Sequence, residues 1–81
     1  MVNLILAESN ELVRIGLRTV FKNAEVQVIG EASNEAELLS QIKSFNPDVV
    51  LIDYTSGNFS IDVIPKALSI SDDVRFVAIT P

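Results

Sequence analysis

The segment Val49-Val50-Leu51-Ile52-Asp53 decides the fold, because a short run of apolar residues ends abruptly at a carboxylate. Such a run, without polar alternation, is typical of a strand buried on both faces of a parallel sheet. Residues 2–7 and 76–79 have the same character. Residues 26–29 form a weaker run, interrupted by Gln27, which we predict at an edge of the sheet.

Helical patterns lie between these apolar runs. The first has apolar residues at spacings of three and four, with basic residues on its other side: Val13, Gly16, Leu17, Val20 and Phe21 against Arg14, Arg18 and Lys22. Ser9 or Asn10 can cap this helix. A second stripe lies between Ser33-Asn34 and Asn46-Pro47 and contains Leu38, Leu39, Ile42 and Phe45. A third contains Ile64, Ala67 and Leu68.

Pro65 limits where the third helix can begin. Proline lacks a backbone N–H and is tolerated only within the first helical turn, so we predict a start near Asp62. The element order is then β-α-β-α-β-α-β, without a linker or repeat. This order predicts one α/β domain, a doubly wound parallel sheet with right-handed crossovers.

Composition excludes several functions. The 81 residues carry eleven acids against six bases, a net charge of −5, which argues against binding a nucleic-acid backbone. Cysteine and histidine are absent, which excludes disulfides, a thiol nucleophile and the usual catalytic base, and we expect no enzyme. A metal site must use oxygen ligands, which favours Mg²⁺ or Ca²⁺. Without a signal peptide or an apolar run of ~18 residues, we expect a cytoplasmic domain with no membrane partner.

Polar residues end the predicted strands. Glu8 follows the first strand, Asp53 the third and Thr80 the fourth. In open α/β sheets, ligands bind beyond the carboxyl ends of the strands. Each residue alone also fits an ordinary role: a loop start for Glu8, a turn cap for Asp53, a strand residue for Thr80. Together, two carboxylates and a hydroxyl at one edge predict a site for a divalent cation and an anion.

Several stretches resemble the receiver domain of response regulators, a CheY-like, flavodoxin-like fold. The stretches are residues 4–10 and 13–17, Val28-Ile29-Gly30-Glu31-Ala32-Ser33, Pro47-Asp48-Val49-Val50-Leu51-Ile52-Asp53 and Val77-Ala78-Ile79-Thr80. Val-Arg-x-Gly-Leu and Val-Ile-Gly-Glu-Ala are most similar to the NarL/FixJ type, whose receivers usually precede a LuxR-type helix-turn-helix domain. The resemblance implies strand order 2-1-3-4. It also implies that residues 1–81 are the N-terminal two-thirds of a receiver, truncated before the fifth strand, the last two helices and any effector domain.

The resemblance implies a phosphorelay function. Asp53 would accept a phosphoryl group from a sensor histidine kinase, and Thr80 would hydrogen-bond the phosphoryl oxygen as a switch. Mg²⁺ would be held by Glu8, Asp53 and the backbone carbonyl of Thr55. DNA would be contacted only through a C-terminal helix-turn-helix domain that these residues do not include.

Departures from the family pattern weaken the expected site. The family has two acids after the first strand, and here Ser9 stands in the place of the second, which is the usual direct ligand. Gly57 replaces a family proline, so we expect a remodelled loop from Tyr54 to Phe59. We therefore expect Mg²⁺ binding and phosphorylation to be weak or absent in this chain, and a homodimer or strand-exchanged oligomer.

Two alternative functions remain at the level of sequence. One is a degenerate pseudo-receiver that acts through dimerisation without phosphorylation. The other is a flavodoxin-like module that binds a small ligand at the same edge. The second lacks a multi-glycine fingerprint, and its acids would repel an anion unless a metal were bound.

Overall fold

The structure is a computed structural model that describes residues 1–22, 25–55 and 57–79. Strands and helices alternate as predicted: β1 (Val2–Ala7), α1 (Glu11–Phe21), β2 (Val26–Ala32), α2 (Glu35–Phe45), β3 (Val49–Ile52), α3 (Val63–Ile70) and β4 (Arg75–Ala78). Within those residue ranges, no helix is long and apolar enough to cross a membrane.

The four strands form one parallel sheet in the order β2-β1-β3-β4. The predicted α/β class, the strand order and the edge position of β2 are confirmed. Ala7 pairs with both Ala32 and Ile52, so β1, β2 and β3 end at the same level. The residues that follow these strands therefore meet at one edge of the sheet, which is the geometry that the site requires.

Helices α2 and α3 cover one face of the sheet and enclose the core. The buried cluster consists of Ile5, Ala7, Ala32, Leu38, Ile42, Val50, Ile52, Phe59, Val63, Ala67 and Val74. Complete burial of a Leu, Ile or Val side chain stabilises a fold by roughly 1.5–3 kcal/mol. The second helical stripe is confirmed by the burial of Leu38 and Ile42.

Helix α1 on the opposite face differs from the prediction. It buries none of its residues, and Val13 and Val20, which were placed on its inward stripe, are 40% and 72% exposed. Leu17 and Phe21 of the predicted stripe are half-buried, but Arg14, predicted on the other side, is also largely covered, with 18% of its side chain exposed. The physical reason is that α1 lies over β2, where Glu31 offers the Arg14 guanidinium an ion-pair partner.

An apolar groove of about 220 Å³ lies on this same face of the sheet, beside α1. It is lined by Val2, Leu4, Phe21, Val26, Val49, Leu51 and Val77.

Side chains at the helix ends explain where the helices begin and stop. The side chains of Asn10 and Asn34 accept hydrogen bonds from the N–H groups of Val13 and Glu37, which caps α1 and α2. Asn46 ends α2 in the left-handed conformation, with φ of 46°. Asp62 is the N-cap residue that directly precedes α3, so the predicted start of that helix is confirmed.

Candidate functional site

Glu8 and Asp53 occupy the carboxyl ends of the adjacent strands β1 and β3. The Asp53 N–H donates to Ala7 O at 3.0 Å, and the Glu8 N–H donates to Ala32 O at 3.1 Å. The backbone of both residues is thus held by the last rungs of the sheet. A hydrogen bond joins their two carboxyl groups. The structure therefore brings the two predicted carboxylates together.

Glu8 is the only charged residue buried among those that the structure describes, with 3% of its surface exposed. Burial raises the pKa of its carboxyl group to about 6, and the hydrogen bond and negative charge of Asp53 act in the same direction. The Ser9 backbone N–H and the Arg14 charge oppose this rise. Glu8 consequently holds a proton more firmly than an ordinary glutamate does.

Thr55 shifts the pKa of Asp53 in the opposite direction, downwards. The Thr55 hydroxyl donates to Asp53 Oδ1, and the Thr55 N–H donates to the same oxygen at 2.9 Å. The hydroxyl is the main cause that lowers the pKa of Asp53, although partial burial opposes it. The two pKa values of the pair thus shift in opposite directions, and the Asp53 carboxylate is oriented by the residue two positions later.

The Arg14 side chain reaches the site from the first turns of α1. Its Nη1 donates to the backbone carbonyl of Glu8 at 2.6 Å, and its Nε lies 3.2 Å from Glu31 Oε1. Arg18 approaches the other oxygen of Glu31 at 3.4 Å, with half of its own side chain exposed. Residues from β1, β2 and α1 are joined by these contacts.

The donor set fits a hard divalent cation. Glu8 Oε2 is buried and has no hydrogen-bond partner among the described residues, which is the state of an oxygen that a cation could ligate. The two candidate side-chain ligands, Glu8 and Asp53, both offer carboxylate oxygens, as Mg²⁺ prefers. In the described ranges, no cluster of three or more acidic residues accompanies the pair. The site therefore offers fewer charges than a strong magnesium site needs.

The other predicted site residues are placed as follows. Ser9 is half-buried beside Glu8, and Thr55 is exposed with its N–H and hydroxyl turned to Asp53. Thr80 lies outside the described residues. The contact of Arg14 with Glu8 was not predicted, because Arg14 was assigned to the helix side away from the sheet. Two features of the sequence could have indicated this contact: a single arginine one turn after the capping Asn10, and the acid Glu31 near the end of β2.

Curated proteins similar to this chain include the response regulator GacA of Pseudomonas viridiflava. It is 29% identical over 82 residues, which cover 99% of this chain and 38% of GacA. The chain thus spans less than half the length of this relative. No protein-family profile matches the chain.

Solved receiver domains share the fold. The signal receiver domain of NarL from Mycobacterium tuberculosis is 28% identical, with a TM-score of 0.78 over 95% of this chain and 64% of that one. A LuxR-family two-component response regulator from Aurantimonas has a TM-score of 0.86 at 21% identity, covering 96% of this chain and 57% of that one.

The fold of this chain matches that of the receiver domains among its structural neighbours. The homologues of this chain are response regulators of two-component systems, and its structural neighbours are receiver domains of LuxR-type regulators. The predicted family resemblance is confirmed. The comparisons do not favour a flavodoxin-like module that binds a small ligand.

Proposed function

We propose that this chain is a phosphoacceptor module of a two-component transcriptional regulator, with Asp53 as the residue that receives the phosphoryl group. The observation that carries the proposal is the position of Asp53. It directly follows the buried strand β3, shares a hydrogen bond with the buried Glu8, and has a lowered pKa. A carboxylate that is charged and oriented at neutral pH is a competent nucleophile.

The transfer uses the Asp53 carboxylate as nucleophile and a phosphohistidine as donor. An Asp53 oxygen attacks the phosphorus of a phosphohistidine on a sensor histidine kinase, the P–N bond breaks, and the imidazole keeps the electron pair. The product is an acyl phosphate on Asp53. Thr55 orients the carboxylate through its N–H and hydroxyl. Thr80 is assigned the hydrogen bond to the phosphoryl oxygen.

Glu8, Asp53 and the Thr55 backbone carbonyl are the residues that would hold Mg²⁺, with Ser9 in the place of a further acid. When bound, Mg²⁺ neutralises the negative charge that builds on the transferring group. Glu8 must give up its proton to ligate a cation, so its raised pKa weakens binding near pH 6.

The partners follow from the same function. We assign the sensor histidine kinase as phosphodonor, and the module as a signalling domain rather than an enzyme. Contact with DNA is assigned to a helix-turn-helix domain of the whole regulator, because a domain with a net charge of −5 is unsuited to bind DNA directly.

The experiment is labelling with acetyl phosphate and Mg²⁺, read by mass spectrometry. We expect slow addition of one phosphoryl group, located on Asp53 and abolished by Asp53→Asn. Asp48→Asn is the matched control, because Asp48 precedes the same strand at its far end and accepts a hydrogen bond from Asn3 N–H at 2.8 Å. Label that survives Asp53→Asn, or no label at any donor concentration, contradicts the proposal. The second result would favour a pseudo-receiver that acts through dimerisation.

A further inference from the structure

Arg14 makes two contacts that fix the backbone at Glu8. Its Nη1 lies 2.6 Å from the Glu8 carbonyl oxygen, and its Nε forms an ion pair with Glu31 at 3.2 Å. The opposite side of the Glu8 residue is held by its own N–H, which donates to Ala32 O on β2. The backbone of Glu8 is therefore held by hydrogen bonds at both its N–H and its carbonyl.

The fixed backbone restricts where the Glu8 carboxyl can point. A carboxyl group that is 3% exposed and has one unpartnered oxygen is costly, since a buried polar atom without a hydrogen bond destabilises the fold. Rotation of the Glu8 backbone would move this carboxyl towards water. The contacts of Arg14 oppose that movement, because the guanidinium bridges α1 and β2 across the residue.

We infer that Arg14 is a positioning residue, which holds the Glu8 carboxylate in place for cation binding beside Asp53. The inference rests on the proposed magnesium site. It adds a residue of α1 that contacts the Glu8 carbonyl and Glu31, and that acts through the backbone of Glu8.

The charge of Arg14 and its positioning contacts should have opposite effects on Mg²⁺ affinity, so a titration can tell them apart. A nearby guanidinium repels a cation, so loss of the Arg14 charge alone would tighten Mg²⁺ binding. Loss of a positioning contact weakens binding, and supporting partners of metal ligands typically contribute about 10–100-fold to metal affinity. At pH 8, well above the Glu8 pKa of about 6, proton competition at Glu8 is small, so a fall in affinity on removal of this positive charge indicates positioning.

The first measurement is calorimetric titration of the chain with Mg²⁺, with Arg14→Met compared against the parent chain. We expect affinity to fall by about tenfold. Arg18→Met is the matched control, because Arg18 carries the same charge on the same helix and pairs with the same Glu31. Within the described residues, it is Arg14 and not Arg18 that donates to the Glu8 carbonyl. We expect Arg18→Met to leave affinity unchanged or to raise it slightly. Unchanged or tighter binding in Arg14→Met overturns the inference.

The second measurement needs no metal. Amide hydrogen exchange at Glu8 reports the bond from its N–H to Ala32 O, with the Val50 amide of the core as internal reference. We expect Arg14→Met to accelerate exchange at Glu8 but not at Val50. Equal exchange at Glu8 in the two chains overturns the inference even if Mg²⁺ binding changes.

Two further variants distinguish failure of the magnesium site from failure of the role assigned to Arg14. Arg14→Lys retains the charge but lacks the planar fork that reaches two partners, so it should weaken Mg²⁺ binding several-fold if Arg14→Met fails to fold. Asp53→Asn identifies failure of the proposed site itself. If the parent and Asp53→Asn titrate alike, the magnesium site is wrong and the inference is overturned with it. If they differ and Arg14→Lys matches the parent, only the role of Arg14 is wrong.

Discussion

The carboxyl groups of Glu8 and Asp53 are joined by a hydrogen bond across the ends of two neighbouring strands, and their pKa values move in opposite directions. Burial raises the pKa of Glu8 to about 6, whereas the Thr55 hydroxyl lowers the pKa of Asp53. At the proposed magnesium site, a cation would have to displace any proton that Glu8 holds.

The raised pKa of Glu8 predicts a stability change with pH. The folded chain holds the Glu8 proton up to about pH 6, against 4.5 for an ordinary glutamate. The Glu8 contribution to the free energy of unfolding is therefore fully present below pH 4.5 and lost as pH rises through 6, with a size of no more than about 2 kcal/mol. Glu8→Gln, which mimics the protonated form, should remove this part of the dependence.

Urea unfolding of the two chains between pH 4 and 8 checks this prediction. The quantity to compare is the difference in the free energy of unfolding between the two chains. Asp53 and Glu37 have lowered pKa values, so their contributions to stability are lost in the opposite direction, as pH falls. A difference that stays constant across the range would show that Glu8 is solvated like an ordinary carboxyl.

Ser9→Asp should tighten Mg²⁺ binding. Ser9 is half-buried next to Glu8, and an aspartate there adds a third charged oxygen donor to the pair. We expect a gain of about tenfold, since the ligand charge count sets affinity for hard cations. Titration with Mg²⁺ measures the gain, and Ser9→Asn is a neutral control of the same shape. Equal affinity for aspartate and serine would mean that this side chain does not face the site.

Gly57→Pro should destabilise the loop that follows Asp53, although proline is the residue that the family resemblance places there. Gly57 has φ of +87°, whereas proline is restricted to about −65°. A β-carbon at Gly57 would meet nothing within 4 Å, so the backbone angle alone opposes the substitution. We expect a loss of more than ~1 kcal/mol, measured by thermal unfolding. Gly57→Asn should cost less, because asparagine tolerates positive φ. The reverse ranking would be incompatible with this loop conformation.

The chain should associate with a second copy through the β4 edge. β4 is the last strand of the described sheet, and Val77 on it is 51% exposed beside the apolar groove. An unpaired strand edge with apolar side chains promotes pairing between chains. Light scattering should show a species larger than a monomer, and Val77→Lys should reduce its size. A monodisperse parent monomer that unfolds cooperatively would contradict this prediction.

Most of the fold could be predicted from the sequence because most of its apolar runs and stripes have a clear period. Residues 49–52 and 2–7 read as buried strands, and Pro65 located the start of α3. The ends of such strands meet in a parallel sheet, so Glu8 and Asp53 were also predictable as neighbours. These features depend on local patterns and on general rules of chain connection, which need no knowledge of particular contacts.

Tertiary structure decided the remaining features. Periodicity assigned Arg14 to the side away from the sheet, but the position of α1 over β2 brought its guanidinium to Glu31 and to the Glu8 carbonyl. The protonation preference of Glu8 likewise depends on burial and on the distance to Asp53, which no sequence pattern encodes. Packing angles and side-chain directions arise from the sum of many contacts, so they are determined only when the whole domain is assembled.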